Sequence, residues 1–300
     1  MLQTNEITFI PNSTAIALGI FNGIHRGHTK IISTAVKCGG DIVVFSLKNS
    51  NKKGGKLLTQ SMRTNILERM GVNTLLEPDF EQLRSLSPSE FVSDILKATL
   101  NAQNVVCGFN YLFGKGAQGT PELLCELCAK QGITAHVLPP VEEDGAAVSS
   151  SRIIALLQNG DVKAANRLLG RPFCYDYEVQ YGNQVGRLMG TPTFNQHFEP
   201  DFCIPKFGVY ASIVRYEGAL YSAVTNIGIK PTVGSAFPLS ETWIPNFNAD
   251  LYGKRVEVFL QEFLRDEARF SGIDLLREAI LKDAERALEI FNAASPKALL

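Results

Sequence analysis

The sequence lacks the excess of basic residues that nucleic-acid-binding proteins commonly carry. Its 29 lysines and arginines are balanced by 30 aspartates and glutamates, which leaves a net charge of -1. A DNA- or RNA-binding domain normally shows a basic face or stripe. We therefore expect no nucleic-acid partner.

Long apolar runs are also missing. No stretch approaches the roughly 18 consecutive apolar residues that a membrane-spanning helix requires. The amino terminus, MLQTNEITFIPNS, has no basic region followed by a long apolar core, so it does not resemble a signal peptide. These absences predict a cytoplasmic protein without a membrane partner.

Cysteine is scarce and scattered, with 6 residues in 300. Only Cys125 and Cys128 form a C-x-x-C pair, and they lie in PELLCELCAKQG, an amphipathic helical pattern. No second pair or histidine cluster follows at zinc spacing. We interpret both as helix residues packed in a core. A metal or redox role is the less favoured alternative.

The length and composition indicate a soluble protein of about two domains. Apolar residues make up 45% and charged residues 20% of the chain, which is ordinary for globular proteins. The first half alternates between strand and helix patterns, which predicts a parallel sheet with its ligand site at the carboxyl ends of the strands. Residues 47–56, LKNSNKKGGK, are predicted to form an exposed, mobile loop. Predicted strands cover residues 15–18, 41–46, 72–76, 104–107 and 133–138, and helices cover 59–70, the segment after Ser87, the segment from about Pro121 and the segment up to Gln158.

The pattern changes near Gly170, where strand periodicity without intervening helices begins. Several short strands of this kind predict a small antiparallel barrel, with a tight hairpin at Glu217-Gly218. The resulting domains are residues 1–169 and 170–300. Predicted strands are 175–181, 208–216, 220–227 and 255–259; a final helix begins near Ser271 or Asp274, with a packed apolar stripe at Ile273, Leu276, Ile280, Ala284, Ala287 and Phe291.

Two of the chain's 4 histidines lie in AIALGIFNGIHRGHTKII, residues 15–32. A buried strand, a glycine-rich turn and a helix from Thr29 onward would present backbone N–H groups to a phosphate. The segment Gly23-Ile24-His25-Arg26-Gly27-His28 resembles the H-x-G-H signature of the nucleotidyltransferase superfamily. Such chemistry needs fixed donors for the charge that develops on phosphoryl oxygens. Imidazole N–H groups supply such donors, and Gly27 lets backbone approach the phosphates.

Two further segments of the first half carry polar groups. Residues 108–116 follow a strand and offer Asn110, a lysine and three glycines. Residues 148–152 precede a helix and offer Ser150 and Arg152. An ordinary loop and an ordinary helix cap explain these segments equally well. A Walker A loop is excluded, because Gly114-Lys115 is not followed by serine or threonine.

The second half holds GNQVGRLMGTPTFN, residues 182–195. Gly182, Gly186 and Gly190 permit a tight path around phosphate. Thr193 and Asn195 supply neutral oxygen atoms, which suit Mg²⁺. Glu241 lies in LSETWIPNF, and a partly desolvated glutamate can accept a proton from an attacking hydroxyl. A strand residue that faces solvent is the alternative for Glu241.

Together these motifs resemble the bifunctional bacterial riboflavin kinase/FMN adenylyltransferases, also called prokaryotic FAD synthetases, over nearly the whole chain. Their order and separation make a chance match very improbable. The motifs are Gly23–His28, Gly108–Gly116, Ser149–Arg152, Leu169–Pro172, Gly186–Asn195, Gly208–Ala211, Asn226–Gly228 with Pro231-Thr232, and Asp250–Lys254.

The resemblance implies a nucleotidyltransferase-type sheet domain that joins FMN to ATP, followed by a barrel that phosphorylates riboflavin to FMN. It implies catalytic roles for His25, His28 and Glu241, and a magnesium site at Thr193 and Asn195. ATP is the co-substrate, and riboflavin, FMN and FAD are substrates or products. The implied nucleotide-binding residues are Gly23, Gly27, Asn110, Ser150, Arg152, Gly186, Gly190 and Thr193. No oligomeric state is implied.

The chain departs from the family pattern at a few positions. Asn22 stands where aspartate is usual, Phe109 where a polar residue is usual, and Ser46-Leu47-Lys48 where Pro-His-Pro is usual. In the barrel, Phe194 replaces alanine and Trp243 replaces histidine. Two alternatives follow: a riboflavin kinase with a weakened or inactive adenylyltransferase domain, and a flavin-binding regulatory protein without turnover. The intact threonine, asparagine and glutamate favour catalysis, since binding alone needs no base.

Overall fold

The computed structural model describes residues 1–47, 54–181, 190–229 and 237–293. Contacts divide the chain into two compact units. The first comprises Met1–Lys52 and Gln60–Ser149, and the second comprises Lys53–Thr59 and Ser150–Leu300.

The first unit contains the predicted parallel sheet, in the order β1-β4-β3-β2-β5-β6. All five residues of β2 are buried, as expected for a central strand covered on both faces. The order reverses between β2 and β5, so a crevice opens beyond their carboxyl ends. The strands are β1 (Leu2–Thr4), β2 (Thr14–Leu18), β3 (Asp41–Phe45), β4 (Thr74–Leu76), β5 (Ala102–Gly108) and β6 (Thr134–Leu138).

Helices connect these strands at the predicted places. Ser87 and Glu90 form a reciprocal capping box, with Pro88 at the first helical position. A short hairpin, β7 (Glu142–Glu143) with β8 (Ala146–Ala147), follows β6. The helices are α1 (Arg26–Cys38), α2 (Gln60–Arg69), α3 (Phe80–Leu83), α4 (Pro88–Glu90), a π-helix (Phe91–Thr99), a 3-10 turn (Lys115–Ala117) and α5 (Pro121–Lys130).

The second unit contains an antiparallel six-stranded sheet in the order β10-β13-β12-β11-β14-β9. Glu217 and Gly218 both have positive φ in the predicted hairpin turn. Two strands, β10 and β13, were absent from the prediction. The strands are β9 (Phe173–Glu178), β10 (Thr193–His197), β11 (Gly208–Tyr216), β12 (Ala219–Ile229), β13 (Pro238–Trp243) and β14 (Arg255–Arg265).

Hydrogen bonds join the two end strands of this sheet. The Gln180 N–H donates to the Asn195 carbonyl at 2.9 Å. The fully buried Gln196 amide donates to the Tyr177 carbonyl at 2.5 Å and the Val256 carbonyl at 2.8 Å. These bonds curl the sheet towards the predicted barrel.

Helices α6 (Ser150–Gln158) and α7 (Val162–Leu169) group with the barrel by contacts. Asn166 joins α7 to the sheet of this unit. Its side-chain amide donates to the Leu260 carbonyl at 2.9 Å and accepts from the Phe173 N–H at 2.7 Å. The domain boundary between residues 169 and 170 stays a prediction, since it concerns independent folding.

The described end of the predicted loop 47–56 is anchored within the second unit. The Lys56 N–H donates to the Asp201 carbonyl at 2.7 Å, and its carbonyl accepts from the Cys203 N–H at 2.8 Å. Leu57 is fully buried. The expectation of a wholly exposed loop is therefore wrong at this end, because local polarity does not reveal backbone pairing with a distant segment. Lys48 and the next five residues lie outside the described parts.

The final helix, α8 (Ile273–Ala293), begins as predicted. It packs on β11 and β12 through Ala284, Ala287 and Ile290. Ile273 is 67% exposed, so its assignment to the packed stripe is wrong. Only the later turns of this helix reach the sheet, and its first turn extends beyond it. None of the described helices is long and apolar enough to cross a membrane.

Candidate active sites

The turn between β2 and α1 has an unusual backbone conformation. Gly23 has φ +84°, which glycine tolerates readily. Ile24 has φ +41° although it is β-branched and almost fully buried. A left-handed conformation at such a residue is strained and persists only where the surrounding packing fixes it. The turn therefore presents the next residue, His25, in a defined orientation.

His25 is the N-cap of α1, so the helix begins at Arg26, three residues earlier than predicted. The His25 Nδ1 atom accepts a hydrogen bond from the His28 N–H at 3.4 Å. The helix starts before Thr29 because the His25 imidazole takes the capping role that serine or aspartate usually fills. No acidic residue lies in the first turn. The helix dipole and N–H groups thus favour an anion there.

The two imidazole rings stack on each other. Their centroids are 3.6 Å apart and their planes differ by 17°. Phe21 packs edge-on against His28 at 5.2 Å. The stack brings together the two histidines as the sequence predicted, and it holds them as one rigid donor group beside the helix start.

Gly27 leaves room for the His25 ring. A Cβ atom there would lie 3.2 Å from the His25 Cε1 and 3.3 Å from its Nδ1, with the Val148 carbonyl at 3.8 Å. These two distances are shorter than most Cβ contacts, so a side chain here would shift the His25 ring by a few tenths of an ångström and glycine preserves its position.

An ion pair not anticipated from sequence adjoins this turn. The Arg26 guanidinium donates to the Glu143 carboxylate, which lies on the β7–β8 hairpin. The pair fixes the hairpin to the start of α1, and the same hairpin leads into Val148. Only the three-dimensional pairing reveals this contact, because 117 residues separate the partners.

Asn110 lies at the carboxyl end of β5, across the crevice from the end of β2 in the sheet order. A Cβ at Gly108 would meet the Asn110 Oδ1 at 3.5 Å and Ile31 of α1 at 3.6 Å. Phe109 is 47% exposed. The loops after β2 and β5 therefore border the same edge of the sheet, as predicted.

Ser150 and Arg152 belong to α6 of the second unit. Ser150 is buried and Arg152 is half-buried. Their assignment to the nucleotide site remains a prediction. Of the altered segment after β3, Ser46 is buried and accepts a hydrogen bond from the Arg63 guanidinium at 3.0 Å. This serine thus has a structural role, while Lys48 lies outside the described residues.

Cys125 and Cys128 lie on α5, as predicted. Both are free, and burial raises the pKa of the Cys128 thiol to about 12. A thiol of this kind is protonated and unreactive at neutral pH. This supports core packing as the role of Cys128.

The second unit brings three polar side chains into one row, here called the oxygen row. Asn195 of β10 pairs directly with Glu241 of β13, which pairs in turn with Asn226 of β12. Directly opposed residues share one face of a sheet, with Cβ atoms about 4.5–5.5 Å apart. Thr193, two residues before Asn195, projects from the same face. The structure thus joins Thr193, Asn195 and Glu241, and it adds Asn226, to which sequence reasoning gave no role.

Two members of the oxygen row have buried oxygen atoms without a hydrogen-bond donor among the described residues. These are Asn195 Oδ1 and Asn226 Oδ1. Asn195 is only 8% exposed. Unpaired buried carbonyl oxygens cost free energy, so these two atoms retain the capacity to bind a further group. Amide and hydroxyl oxygens suit a hard divalent cation, and the residues present therefore fit Mg²⁺.

Buried hydroxyl groups underlie the oxygen row. Thr225 Oγ1 lies 2.7 Å from Ser212 Oγ and 2.9 Å from Thr242 Oγ1. All three residues are at most 1% exposed. This chain of hydrogen bonds links β11, β12 and β13 and fixes the register that opposes Asn226 to Glu241.

The glycine segment before Thr193 is only partly described. Gly190 has φ +73°, and a Cβ there would meet no atom of the described residues within 4 Å. The described residues therefore leave room beside this backbone, as a phosphate-binding path requires. Gly182 and Gly186 lie outside the described residues. Thr193 and Asn195 lie on β10, because residues 193–197 pair with residues 239–243.

An open cleft of about 350 Å³ lies at the start of α8. Its lining includes Phe270, Ile273 and Leu276. Glu267, in the segment between β14 and this cleft, accepts a hydrogen bond from the Asn226 amide at 3.1 Å. The cleft therefore adjoins a segment that contacts one end of the oxygen row.

A parallel α/β unit with a histidine-capped helix at its strand reversal, followed by a curled antiparallel sheet with an oxygen row, indicates an enzyme with two nucleotide sites. Two family descriptions match the chain in this order: FAD synthetase over residues 8–152 and riboflavin kinase over residues 169–291. The chain belongs to the bifunctional riboflavin kinase/FMN adenylyltransferase family.

Individual relatives agree with this assignment. The bifunctional riboflavin kinase/FMN adenylyltransferase of Bacillus subtilis is 33% identical over 296 residues, which cover 93% of each chain. That of Pseudomonas fluorescens is 34% identical over 285 residues, covering 90% of this chain and 91% of the relative. A solved Streptococcus pneumoniae structure described as a macrolide-efflux protein has 31% identity and a TM-score of 0.85, covering 95% of this chain and 97% of its own.

Proposed function

We propose that this chain carries out both reactions of its family. The second unit transfers the γ-phosphoryl group of ATP to riboflavin, which yields FMN. The first unit joins FMN to the adenylyl group of a second ATP, which yields FAD and pyrophosphate. The observation that carries this proposal is one polar cluster in each unit: the stacked histidines of the first and the oxygen row of the second, each suited to one of these transfers.

In the barrel, Glu241 accepts the proton of the riboflavin 5′-hydroxyl as that oxygen attacks the γ-phosphorus. Its position beside Asn195 supports this role, because the base must adjoin the phosphoryl group being transferred. Thr193 and Asn195 would hold Mg²⁺, which when bound neutralises charge on the phosphate oxygens. The open cleft at Phe270 would receive the flavin ring, with the ribityl chain directed along Asn226 towards Glu241.

In the first unit, the phosphate of FMN attacks the α-phosphorus of ATP. His25 and His28 donate hydrogen bonds to the phosphoryl oxygens, and the α1 N-terminus stabilises the same charge. Gly23 and Gly27 allow the backbone to approach, while Asn110 contacts the nucleotide. No protein nucleophile is needed, because the attacking oxygen belongs to the substrate. The partners are these small molecules, and the proposed location is the cytoplasm.

One assay tests the proposal. Purified protein is incubated with riboflavin, ATP and Mg²⁺, and flavins are separated by chromatography. Formation of both FMN and FAD supports it. Formation of FMN alone would favour a riboflavin kinase with an inactive first unit. Asn22, which stands where the family usually has aspartate, would then be a specific reason for the lost activity. Absence of both products would contradict catalysis.

A pair of variants tests whether the sites are separate. Glu241→Ala should abolish FMN formation and leave adenylylation of supplied FMN intact. His28→Ala should have the opposite effect. Loss of both activities in either variant, with the fold retained by circular dichroism, would contradict two independent sites.

A further inference from the structure

Tyr181 combines strong exposure with an ordered ring. Its side chain is 73% exposed, yet its ring stacks on that of Tyr252 with centroids 4.0 Å apart and planes differing by 15°. One face of the Tyr181 ring is therefore covered by Tyr252. A planar ligand could continue the stack on the opposite face, because offset stacking is favourable for aromatic rings.

Hydrogen bonds join the two segments that carry this pair. The Val179 N–H donates to the Lys254 carbonyl at 2.9 Å, and the Gly253 N–H donates to the Val179 carbonyl at 3.0 Å. The Tyr252 N–H donates to the Asp250 carboxylate at 3.0 Å. Hydrogen-bonded neighbours thus flank both rings, and the stack holds each ring against the other before a ligand binds.

The pair lies beside one end of the oxygen row. Tyr181 directly follows Gln180, whose N–H is bonded to the Asn195 carbonyl. Across the sheet the order is Gln180, Asn195, Glu241 and Asn226. Gln180 shares the face of the oxygen row, and Tyr181 follows it where the strand ends. Asn195, the proposed metal ligand, therefore lies between the strand that carries Tyr181 and the proposed base.

The order of these residues across the sheet indicates which planar substrate stacks on Tyr181. In phosphoryl transfer the acceptor and the leaving group lie roughly in line on opposite sides of the phosphorus. The acceptor hydroxyl approaches at Glu241, so the remainder of ATP extends from Asn195 in the opposite direction, towards Gln180. The flavin ring lies instead on the side of Asn226 and Glu267. Adenine, rather than isoalloxazine, then reaches Tyr181.

We propose that Tyr181, supported from behind by Tyr252, is the platform on which the adenine ring of ATP stacks in the riboflavin kinase site. This rests on the proposed roles of Asn195 and Glu241. Stacking recognises the planar base without reading its hydrogen-bonding edge. The site therefore accepts other purine nucleoside triphosphates and gains less from a smaller pyrimidine base.

The test measures steady-state riboflavin phosphorylation by the full chain. Tyr181→Ala should raise the KM for ATP roughly tenfold, the effect expected from losing one base–aromatic stack, with kcat little changed. Tyr181→Phe keeps the ring and should stay within about twofold of the wild type. The KM for riboflavin should not change. An unchanged KM for ATP, or a raised KM for riboflavin instead, would overturn the assignment.

Inhibitors separate the base from the phosphates. In Tyr181→Ala, ADP should inhibit the kinase roughly tenfold more weakly, whereas inorganic tripolyphosphate, which has no base, should inhibit as in the wild type. Equal weakening of both inhibitors would contradict a base contact. Tyr221→Ala, which removes a tyrosine from another aromatic pair in the same sheet, is the matched control and should leave both constants unchanged.

The same preparations carry two further checks. Adenylylation of supplied FMN uses the first unit, so its KM for ATP should be unaltered by Tyr181→Ala. If Glu241→Ala abolishes phosphorylation while Tyr181→Ala leaves the KM for ATP unchanged, the platform is wrong and the kinase site stands. If Glu241→Ala retains phosphorylation, the site assignment itself is wrong.

Discussion

The two candidate sites supply opposite kinds of groups to the same ligand, a nucleoside triphosphate. In the first unit, the described groups are donors: two stacked imidazoles and a helix start without acidic residues. In the second unit, the oxygen row consists of acceptor atoms from two amides and a carboxylate. A row of acceptors repels phosphate unless a cation lies between them. The proposed barrel site therefore calls for a cation between its acceptor atoms and the phosphates, whereas the first site carries its own donors.

The sites also differ in how the fold positions them. His25 and His28 are neighbours in sequence, placed by a single turn and a helix cap. The oxygen row is assembled from three strands, and its geometry depends on register. A one-residue slip would turn every side chain of a strand to the other face. Variants that remove a reacting group and variants that only shift its position should therefore differ in how strongly they reduce activity.

The largest expected effect concerns the proton acceptor. Glu241→Gln preserves shape and removes basicity, so riboflavin phosphorylation should fall by a factor on the order of 10² to 10⁴. FMN adenylylation in the same preparation should be unchanged. Glu178→Gln, at an exposed carboxylate on β9, is the matched control and should leave both activities intact. Retention of kinase activity in Glu241→Gln would remove the basis for a catalytic base in the oxygen row.

Loss of a donor in the first unit comes next. His28→Ala removes an imidazole from the stack, and FAD formation should fall roughly 10² to 10³-fold, as for other single donors to developing phosphoryl or oxyanion charge. FMN formation should continue. His136→Gln retains a side-chain partner for Asn104, which His136 contacts at 3.1 Å, and serves as the control. If His28→Ala and His136→Gln reduced FAD formation equally, a general loss of stability would explain the result.

The same contrast explains how far the sequence could be interpreted. The H-x-G-H turn was identified because its residues are contiguous, and the parallel sheet was identified because strands and helices alternate. The strand at Thr193–His197 was missed since glycine and proline precede it, and its pairing partner lies more than 40 residues away. Local pattern also failed at Lys56, whose hydrogen-bond partners are near residue 200.

Contacts between residues far apart in the chain could not be predicted from the sequence. Asn226 lies in a recognised motif, but only its register opposite Glu241 gives it a place in the site. The Arg26–Glu143 pair and the Tyr181–Tyr252 stack likewise join separate segments. Residue type and spacing in a single sequence do not encode such pairings, whereas they do encode caps, turns and strand faces.

A smaller effect should follow from changing the proposed metal ligand. Asn195→Ala removes the buried oxygen of the row, so the Mg²⁺ concentration that gives half-maximal kinase activity should rise roughly tenfold. At saturating Mg²⁺ much of the activity should return. The Mg²⁺ dependence of FMN adenylylation, measured in parallel, provides the internal control. Kinase activity that is reduced equally at every Mg²⁺ concentration would point to a geometric role for Asn195.

The smallest effect, and the sharpest test of geometry, concerns Gly27. It is the second residue of α1, where helix propensity favours alanine but the tight contact with His25 opposes it, so Gly27→Ala should change the free energy of unfolding little. The new Cβ would press on the His25 ring at 3.2 Å and displace it by a few tenths of an ångström. FAD formation should therefore fall several-fold, since catalytic donors tolerate little displacement. Gly272→Ala, where a Cβ meets nothing within 4 Å, is the control. Full adenylylation in a Gly27→Ala protein of undiminished stability would show that the position of the His25 ring does not limit catalysis.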